Sequence, residues 1–510
     1  MKHLHIPAIS LLLLVLACTK DKSNYDYSEK ENIEIKGVLD NYSVITLKDT
    51  LRINPELTSN KDTDMEYRWG LYKGQVGVMD TISYTKNLSH PVKESAGNYI
   101  LVFYTRNKKT GVIKTKQSGL SVNTRFTRGW YIAKDDGADS DLDLFLTPNN
   151  ILAEEKLENI YSTVNGSKLA GNITNLSFLS AYYTYDNGPL ERTRTLMVST
   201  DKDINAIGIG RLNLIRNKQT LFLGDIPEMG APNAVILGSS AYYGLAKGQL
   251  YSISTNSLNS GLFGSKTRRN SSNADYSLSL FNSSSDATNP VFFDNTSSTF
   301  VTLVNAGSTL TEFSDAAGTK MPARNNNKQV LFMALKYIEY QPAPKYSFIS
   351  KGYGVLQDKT NPSLKILSYL EQDESSLKIT NDTIQPSSKL FNATQYALLY
   401  EDENMLYFST DNQIYSRNLN NGFEQLQYAV PAGEEVTFIR HHTYTSEAAY
   451  AFNFVIVGTR KNDQYIIRMF KKSSGNLEST PYQVLQGKGI ARGLLYIAPS
   501  VREDTYPNSF

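Results

Sequence analysis

The sequence predicts an all-β protein: a small N-terminal immunoglobulin-like β-sandwich followed by a β-propeller-like domain of seven or eight blades. Three observations predict it. Short apolar runs of strand length recur along the chain, among them 129–133, 195–199, 234–237, 300–304, 330–333, 397–400 and 454–457. Only one segment reads as helix, with Leu157, Ile160, Tyr161 and Val164 at helical spacing. A weak internal repeat links distant strands, and its step matches one propeller blade.

Length and charge bound the problem. At 510 residues the chain exceeds one ordinary domain. Lys and Arg total 52 against 50 Asp and Glu, a formal net charge of +2, which excludes a general nucleic-acid binder. One Cys and five His exclude a disulfide framework and a Cys-based zinc site, and no cofactor motif is present.

Residues 1–17 read as a signal segment. Met1-Lys2-His3 is a short positive start, and Ile6 to Ala17 is apolar apart from Ser10, too short for a bilayer span. The run ends in Val15-Leu16-Ala17-Cys18, with the chain's sole cysteine where a bacterial lipobox has its own. Cys18 is therefore the expected lipid attachment point, and several acyl chains there give a stable anchor. A plain secretory signal is the alternative. Residues 18–32 are polar and charged, as a tether from the headgroups requires.

Residues 33–124 supply about seven short strands. Glu66 to Tyr72 places Trp69 in mid-strand, with Tyr67 and Leu71 on its face, and Gly97 to Tyr104 is a late strand led by Tyr99. Trp69 is expected to fill the sandwich without a disulfide behind it, and Tyr99 to make a corner hydrogen bond.

Taken with Phe126-Thr127-Arg128-Gly129-Trp130-Tyr131-Ile132, the lipobox, the Lys22-Ser23-Asn24-Tyr25-Asp26-Tyr27 tether and the Trp strand resemble the PKD-like family of lipoproteins from Bacteroidota. The resemblance implies a PKD-like sandwich before a long β-rich region. It also implies association with an outer-membrane transporter of the starch-utilisation type. Many members carry an acidic pair after the cysteine, where this chain has Thr19-Lys20-Asp21-Lys22.

Residues 125–510 carry the repeat. Leu196 to Asp201 echoes Leu406 to Asp411, and Gly248 to Ser252 echoes Asn412 to Ser416 and, more loosely, Asp463 to Ile467. Tyr415 and Tyr465 are fifty residues apart, which divides this region into seven or eight blades and predicts that 489–497 completes the blade opened at Trp130. An open stack of further sandwiches is the competing architecture.

Chemistry is sparse. Asp139, Asp141 and Asp143 alternate as carboxylates around a hard cation can, but they fail the EF-hand spacing, and an acidic hairpin turn with Gly137 at positive φ accounts for them. His441 and His442 are adjacent and so point to opposite faces of a strand, which disfavours shared metal ligation. No nucleophile elbow, zincin helix or phosphate loop is present. Tyr182, Tyr183 and Tyr185, Tyr242 and Tyr243, and the group of Tyr337, Tyr340 and Tyr346 are the aromatic clusters; the first five are the candidate sugar-stacking residues, against ordinary strand packing. Polar stretches 256–273 and 283–298 are candidate rim loops at one propeller mouth.

The expected function is a non-catalytic binding or scaffolding lipoprotein of an outer-membrane nutrient uptake system, more at the cell surface than at the periplasmic face. Its expected partners are the membrane, a transporter complex and oligosaccharide, with glycan the expected nutrient. The alternatives are a hydrolase using carboxylates at the propeller mouth and an envelope assembly factor. Cys18→Ala is expected to release the body from the membrane or leave the precursor uncleaved. Membrane fractionation with metabolic lipid labelling checks this, and a variant still labelled and membrane-bound contradicts it.

Overall fold

The computed structural model describes residues 29–61, 64–73, 78–148, 154–185, 190–256 and 260–507. The expected signal segment, Cys18 and most of the expected tether lie outside the described residues. The chain forms two compact units, Met1–Lys93 with Gly97–Asn123, and Glu94–Ala96 with Thr124–Phe510. No helix among the described residues is long and apolar enough to cross a membrane.

The first unit is a sandwich. Its larger sheet orders Asn41–Ile45, Ile113–Asn123, Gly97–Asn107, Met65–Lys73 and Asp80–Ser83, with the first pair parallel. Two short ladders complete it, Ile33–Lys36 with Glu56–Ser59 and Thr50–Ile53 with Leu88–Pro91. Alternation along the strands sends Trp69, Leu71, Leu101 and Phe103 into one core. Trp69 is fully buried, its ring centroid is 4.5 Å from that of Phe103, and its Nε1 donates to the carbonyls of Thr85 and Lys86. Those two bonds satisfy the indole without a disulfide.

The second unit is a propeller-like ring whose described residues form seven blade sheets. Blade 1 orders Lys156–Leu157, Asp139–Leu146, Gly129–Asp135 and Ile490–Ile497. Blade 2 holds Ile173–Thr184, Glu191–Thr200, Ile204–Gly208 and Leu214–Arg216; blade 3 holds Ala234–Gly238, Ala241–Ala246 and Gln249–Ser254. Blade 4 is small, with Phe292–Asp294, Thr299–Thr302 and Thr311–Glu312. Blade 5 is the longest, with Lys328–Gln341, Ser347–Asp358, Lys365–Asp373 and Ser376–Ile384. Blade 6 holds Gln395–Leu398, Met405–Thr410, Gln413–Asn418 and Glu424–Ala429; blade 7 holds Glu435–Tyr444, Phe452–Lys461, Gln464–Phe470 and Gln483–Lys488. The repeat seen in the sequence is the hairpin joining the second and third strands of blades 2, 3, 6 and 7.

Each neighbouring pair of blades encloses its own apolar core, seven in all, including one between blade 7 and blade 1. Strand alternation divides the side chains: Trp130 and Ile132 face blade 7, while Tyr131 and Ala133 face blade 2. Ring closure is the antiparallel ladder of Gly129–Asp135 with Ile490–Ile497, as the sequence predicts. Gly129 has φ +152°, and a Cβ there would lie 2.3 Å from the carbonyl oxygen of Phe145, so only glycine opens this strand. The helix reduces to Ile160–Asn165, seating Ile160 and Tyr161 in the core between blades 1 and 2, while Leu157 belongs to a short strand.

A further strand, Glu503–Tyr506, pairs with Ile173–Thr184 of blade 2 on the side away from its outer strands. Its end reaches across the ring, where Tyr506 and Pro507 share a cavity of about 10 Å³ with residues of blades 5, 6 and 7. The middle of the ring is therefore filled by the chain itself. Asp504 pairs with Arg440 of blade 7 at 2.6 Å, and both side chains are buried. Asn175 Nδ2 donates to the Tyr506 carbonyl at 2.7 Å, and the Ser177 and Thr505 hydroxyls meet at 2.8 Å.

Removing one member of a buried pair leaves an uncompensated charge. Arg440→Ala is expected to cost about 3–5 kcal/mol in denaturant unfolding, and adding Asp504→Asn to it to recover much of the loss. Burial, outweighing the Arg440 charge, pushes the Asp504 carboxyl up to about 6. The folded state thus holds an extra proton, and this contribution falls as pH rises from about 4 through about 6. His442 Nε2 lies 3.5 Å from Asp504, and burial, then Arg440 and His441, hold its pKa well below the ordinary value. Its contribution has the opposite slope, rising with pH up to about 6.5. His442→Gln should expose the falling limb and Asp504→Asn the rising one in unfolding measured across that range.

Candidate functional site

Both faces of every blade are packed, so the ring is accessible at strand ends and turns. One such place is a cleft of about 450 Å³ between blades 7 and 1. Phe452 and Phe454 alternate with Asn453 at the start of the second strand of blade 7, so both rings share a face. Their centroids are 5.1 Å apart with planes 3° from parallel. Tyr482 stacks beyond Phe454 at 5.4 Å, and Trp130 lies 4.9 Å on the other side of Phe452. Trp130 and Phe454 are 4% exposed, Phe452 between them is half-buried, and Tyr482 at the end of the row is 61% exposed.

Polar groups edge the row. The Lys471 ammonium sits 4.0 Å over the Tyr482 ring, and Asn453, Gln483, Thr147 and Glu154 line the same cleft. Beneath it, Glu447 accepts hydrogen bonds from Tyr444 at 2.5 Å, Arg128 at 2.6 Å and Ser500 at 2.9 Å. The Tyr444 hydroxyl first, and the Arg128 guanidinium, keep this carboxyl below its ordinary range despite burial. Arg128 also lies 4.1 Å from the Tyr450 ring centroid. The turn beside the cleft is thus fixed by a charge-assisted network.

A second group adjoins the cleft. In the turn after the first strand of blade 6, Asp402 Oδ2 accepts from Asn453 Nδ2 at 2.6 Å and pairs with Lys472 at 2.6 Å. His441 Nδ1 accepts the Tyr400 N–H at 3.1 Å, which leaves Nε2 protonated to face Asn453 Oδ1 at 2.9 Å and Asp402 at 3.3 Å. Burial opposes ionisation of Asp402, but hydrogen bonds from His441, Lys472 and Asn453 hold it well below the ordinary range. Lys336 gives its ammonium to the carbonyls of Leu399, Asp402 and Glu403 at 2.6, 2.8 and 3.0 Å. Its burial brings the amine down to about 8.

The residues singled out from the sequence fall elsewhere. Tyr182, Tyr242 and Tyr243 are buried between blades, and the hydroxyls of Tyr182 and Tyr243 bond the Gly261 and Leu303 carbonyls; this packing takes them out of reach of a ligand at the surface. Tyr183 is half-buried under Arg192, and Tyr185 is exposed. Tyr337 is half-buried, while Tyr340 and Tyr346 are exposed near the end of the long blade 5 hairpin.

Asp139, Asp141 and Asp143 do not form a cation site. Asp143 is bound by Lys134 at 2.7 Å and the Tyr465 hydroxyl at 2.6 Å, and Asp141 accepts the N–H groups of Tyr161 and Ser162. Asp139 is exposed beside a turn where Gly137 has φ +91°. Among the described residues no three His, Cys, Asp or Glu side chains gather as a metal requires. His441 and His442 do point to opposite faces, toward blade 6 and toward Asp504.

Of the expected rim loops, 283–298 carries the first strand of blade 4, with Ser283, Ser284 and Ser285 buried. In 256–273, Phe263 is buried in the core between blades 2 and 3. On the inner strand, burial, then the charge of Asp286, raises the Glu503 carboxyl above its ordinary range. The sequence reading missed the cleft; the Phe452-Asn453-Phe454 alternation at a strand start was its available signal.

A family model described as "PKD-like family" matches residues 18–172, which runs from Cys18 through the sandwich and the first strands of blade 1. No curated protein sequence matches the chain. Among solved structures, it is similar to a quinonprotein alcohol dehydrogenase-like protein from Bacteroides thetaiotaomicron, at 14% identity and TM-score 0.42 over 92% of this chain and 99% of that one. A DUF4784 family protein from Bacteroides caccae is similar at 10% identity and TM-score 0.29, over 78% and 95%. The SGBP-B of the Bacteroides ovatus mixed-linkage glucan utilization locus, solved with a mixed-linkage heptasaccharide, is similar at 9% identity and TM-score 0.16, over 92% and 93%. None of the three reaches a TM-score of 0.5, so none carries an argument about function.

Proposed function

We propose that the protein is a non-catalytic, lipid-anchored glycan-binding component of an outer-membrane nutrient uptake system, and that its ligand site is the cleft between blades 7 and 1. The observation that supports this reading is the row Tyr482, Phe454, Phe452 and Trp130, with ring centroids about 5 Å apart and amides at its edge. Sugar rings present C–H faces that pack on aromatic rings, while their hydroxyls bond an amide such as Gln483. Anchoring through Cys18 and association with a transporter rest on the lipobox and on the resemblance to PKD-like lipoproteins.

One observation favours a second reading. Burial, and then the charge of Asp286, raise the Glu503 carboxyl above its ordinary range, as the general acid of a hydrolase requires. A single experiment separates the two. The soluble body is titrated with a panel of oligosaccharides, and the reaction mixtures are analysed for cleaved products. Tyr482→Ala is expected to lower affinity about tenfold or more, roughly 1.4 kcal/mol, with an unchanged melting temperature because the side chain is exposed. Silence across the panel overturns glycan binding. Turnover that Glu503→Gln abolishes replaces it with the hydrolase.

A further inference from the structure

We propose that the cleft between blades 7 and 1 is one end of a longer binding surface. Its second subsite is a tyrosine-lined hollow between blades 5 and 6, and its ligand is a neutral oligosaccharide chain spanning both. This rests on the glycan-binding reading above and adds to it the length and charge class of the ligand.

The hollow has a volume of about 360 Å³ and is walled by Tyr337, Tyr353, Tyr369, Asn404, Glu401 and Asp402. The Tyr353 and Tyr369 rings are 5.1 Å apart and tilted by 54°, an aromatic corner rather than a flat stack. Beside them, Asn404 Nδ2 donates to Asn420 Oδ1 at 2.5 Å, which fixes the turn. The floor is Lys336, 4% exposed, with its ammonium taken by three backbone carbonyls. The hollow is therefore rigid before any ligand arrives, which lowers the ordering cost of binding.

Asp402 joins the two places. It lines the hollow, and its Oδ2 receives the amide of Asn453, which lines the cleft. One carboxylate–amide contact of 2.6 Å is thus a shared wall. Lys472 and His441 fix that wall from beneath, and both ends of the Asn453 amide are occupied, by Asp402 and by His441. Both places also sit at the first turns of successive blades, 399–404 in blade 6 and 445–451 in blade 7, which open on one face of a ring whose inner strands run in the same sense. A chain leaving one subsite meets the next without crossing the ring.

Charge selects the chemistry. The hollow presents the exposed carboxylate of Glu401 beside ionised Asp402, whereas its lysine is spent on carbonyls below. Uronates and sulfated sugars are repelled there, and hydroxyl-only chains are not.

Isothermal titration of the soluble body with neutral gluco-, xylo- and manno-oligosaccharide ladders, from the disaccharide upward, tests the proposal. Affinity is expected to climb with chain length until both subsites are filled, then level off. Tyr369→Ala is expected to bring long-chain affinity down about tenfold or more, toward the short-chain value, and to leave short chains unaffected. Tyr369→Phe keeps the ring and Asn404→Ala lies in the turn, so they provide folded controls in the same hollow. Each should weaken long chains alone. Length-independent affinity, equal losses for short and long chains, or long-chain binding unmoved in all three variants overturns the second subsite while the cleft reading stands. Tighter binding of an oligogalacturonate than of neutral chains overturns the charge assignment. Absence of binding by every ladder overturns the cleft reading itself.

Discussion

The propeller unit depends on one backbone ladder, the pairing of Gly129–Asp135 with Ile490–Ile497. Each of the seven cores lies between two blades, so each blade is stable only with a neighbour on both sides. An open arc would leave one face of its first and last blades uncovered, with apolar rows such as Trp130, Ile132 and Tyr496 in water. Closure covers those faces and removes the sheet edges between the chain's distant segments. Polar contacts reinforce it: Arg492 of the closing strand holds Asp135 of the strand it pairs with, and Tyr465 of blade 7 holds Asp143 of blade 1.

Closure also creates the candidate site. The seam between blades 7 and 1 joins segments laid down far apart in sequence, and their turns meet without a continuous strand to fill the corner. Trp130 comes from one side, and Phe452, Phe454 and Tyr482 from the other. A cleft of partly covered rings results, whereas Tyr131 and Tyr465 of the same blades are fully buried. Its neighbour between blades 5 and 6 is built differently, from a long hairpin and a charged turn. The two are tied by groups that have no partner to spare: Asp402, Asn453, His441 and Lys472 satisfy one another.

The fold was largely legible and the site was not, for the same physical reason. Strand length, the fifty-residue echo and the apolar run at 490–497 report on local periodicity, which one sequence displays directly. Blade number follows from that spacing. Tyr242 and Tyr243 illustrate the failure. Adjacent tyrosines on a strand look amphipathic, but a blade has no solvent face, so one ring enters the core with blade 2 and the other that with blade 4. The cleft aromatics sit at strand ends, where the Phe452-Asn453-Phe454 alternation is too short to stand out from ordinary strand patterning. Asp402 and Asn453 lie in different blades, and nothing in a linear pattern places an amide on that carboxylate. The aspartates at 139, 141 and 143 were legible as an alternating set but not as anchors for Lys134, Tyr465 and a helix start.

The strand Glu503–Tyr506 lies inside a ring that the segment just before it has closed. During synthesis both segments leave the ribosome after all seven blades have acquired their other strands. The nascent molecule therefore spends its translation as an unclosed arc whose end faces are uncovered. A chain cut just before Ile490 would keep every blade but the first with its sequential strands, yet it would lose both the closing ladder and the inner strand, so local completeness of the blades does not amount to a closed ring.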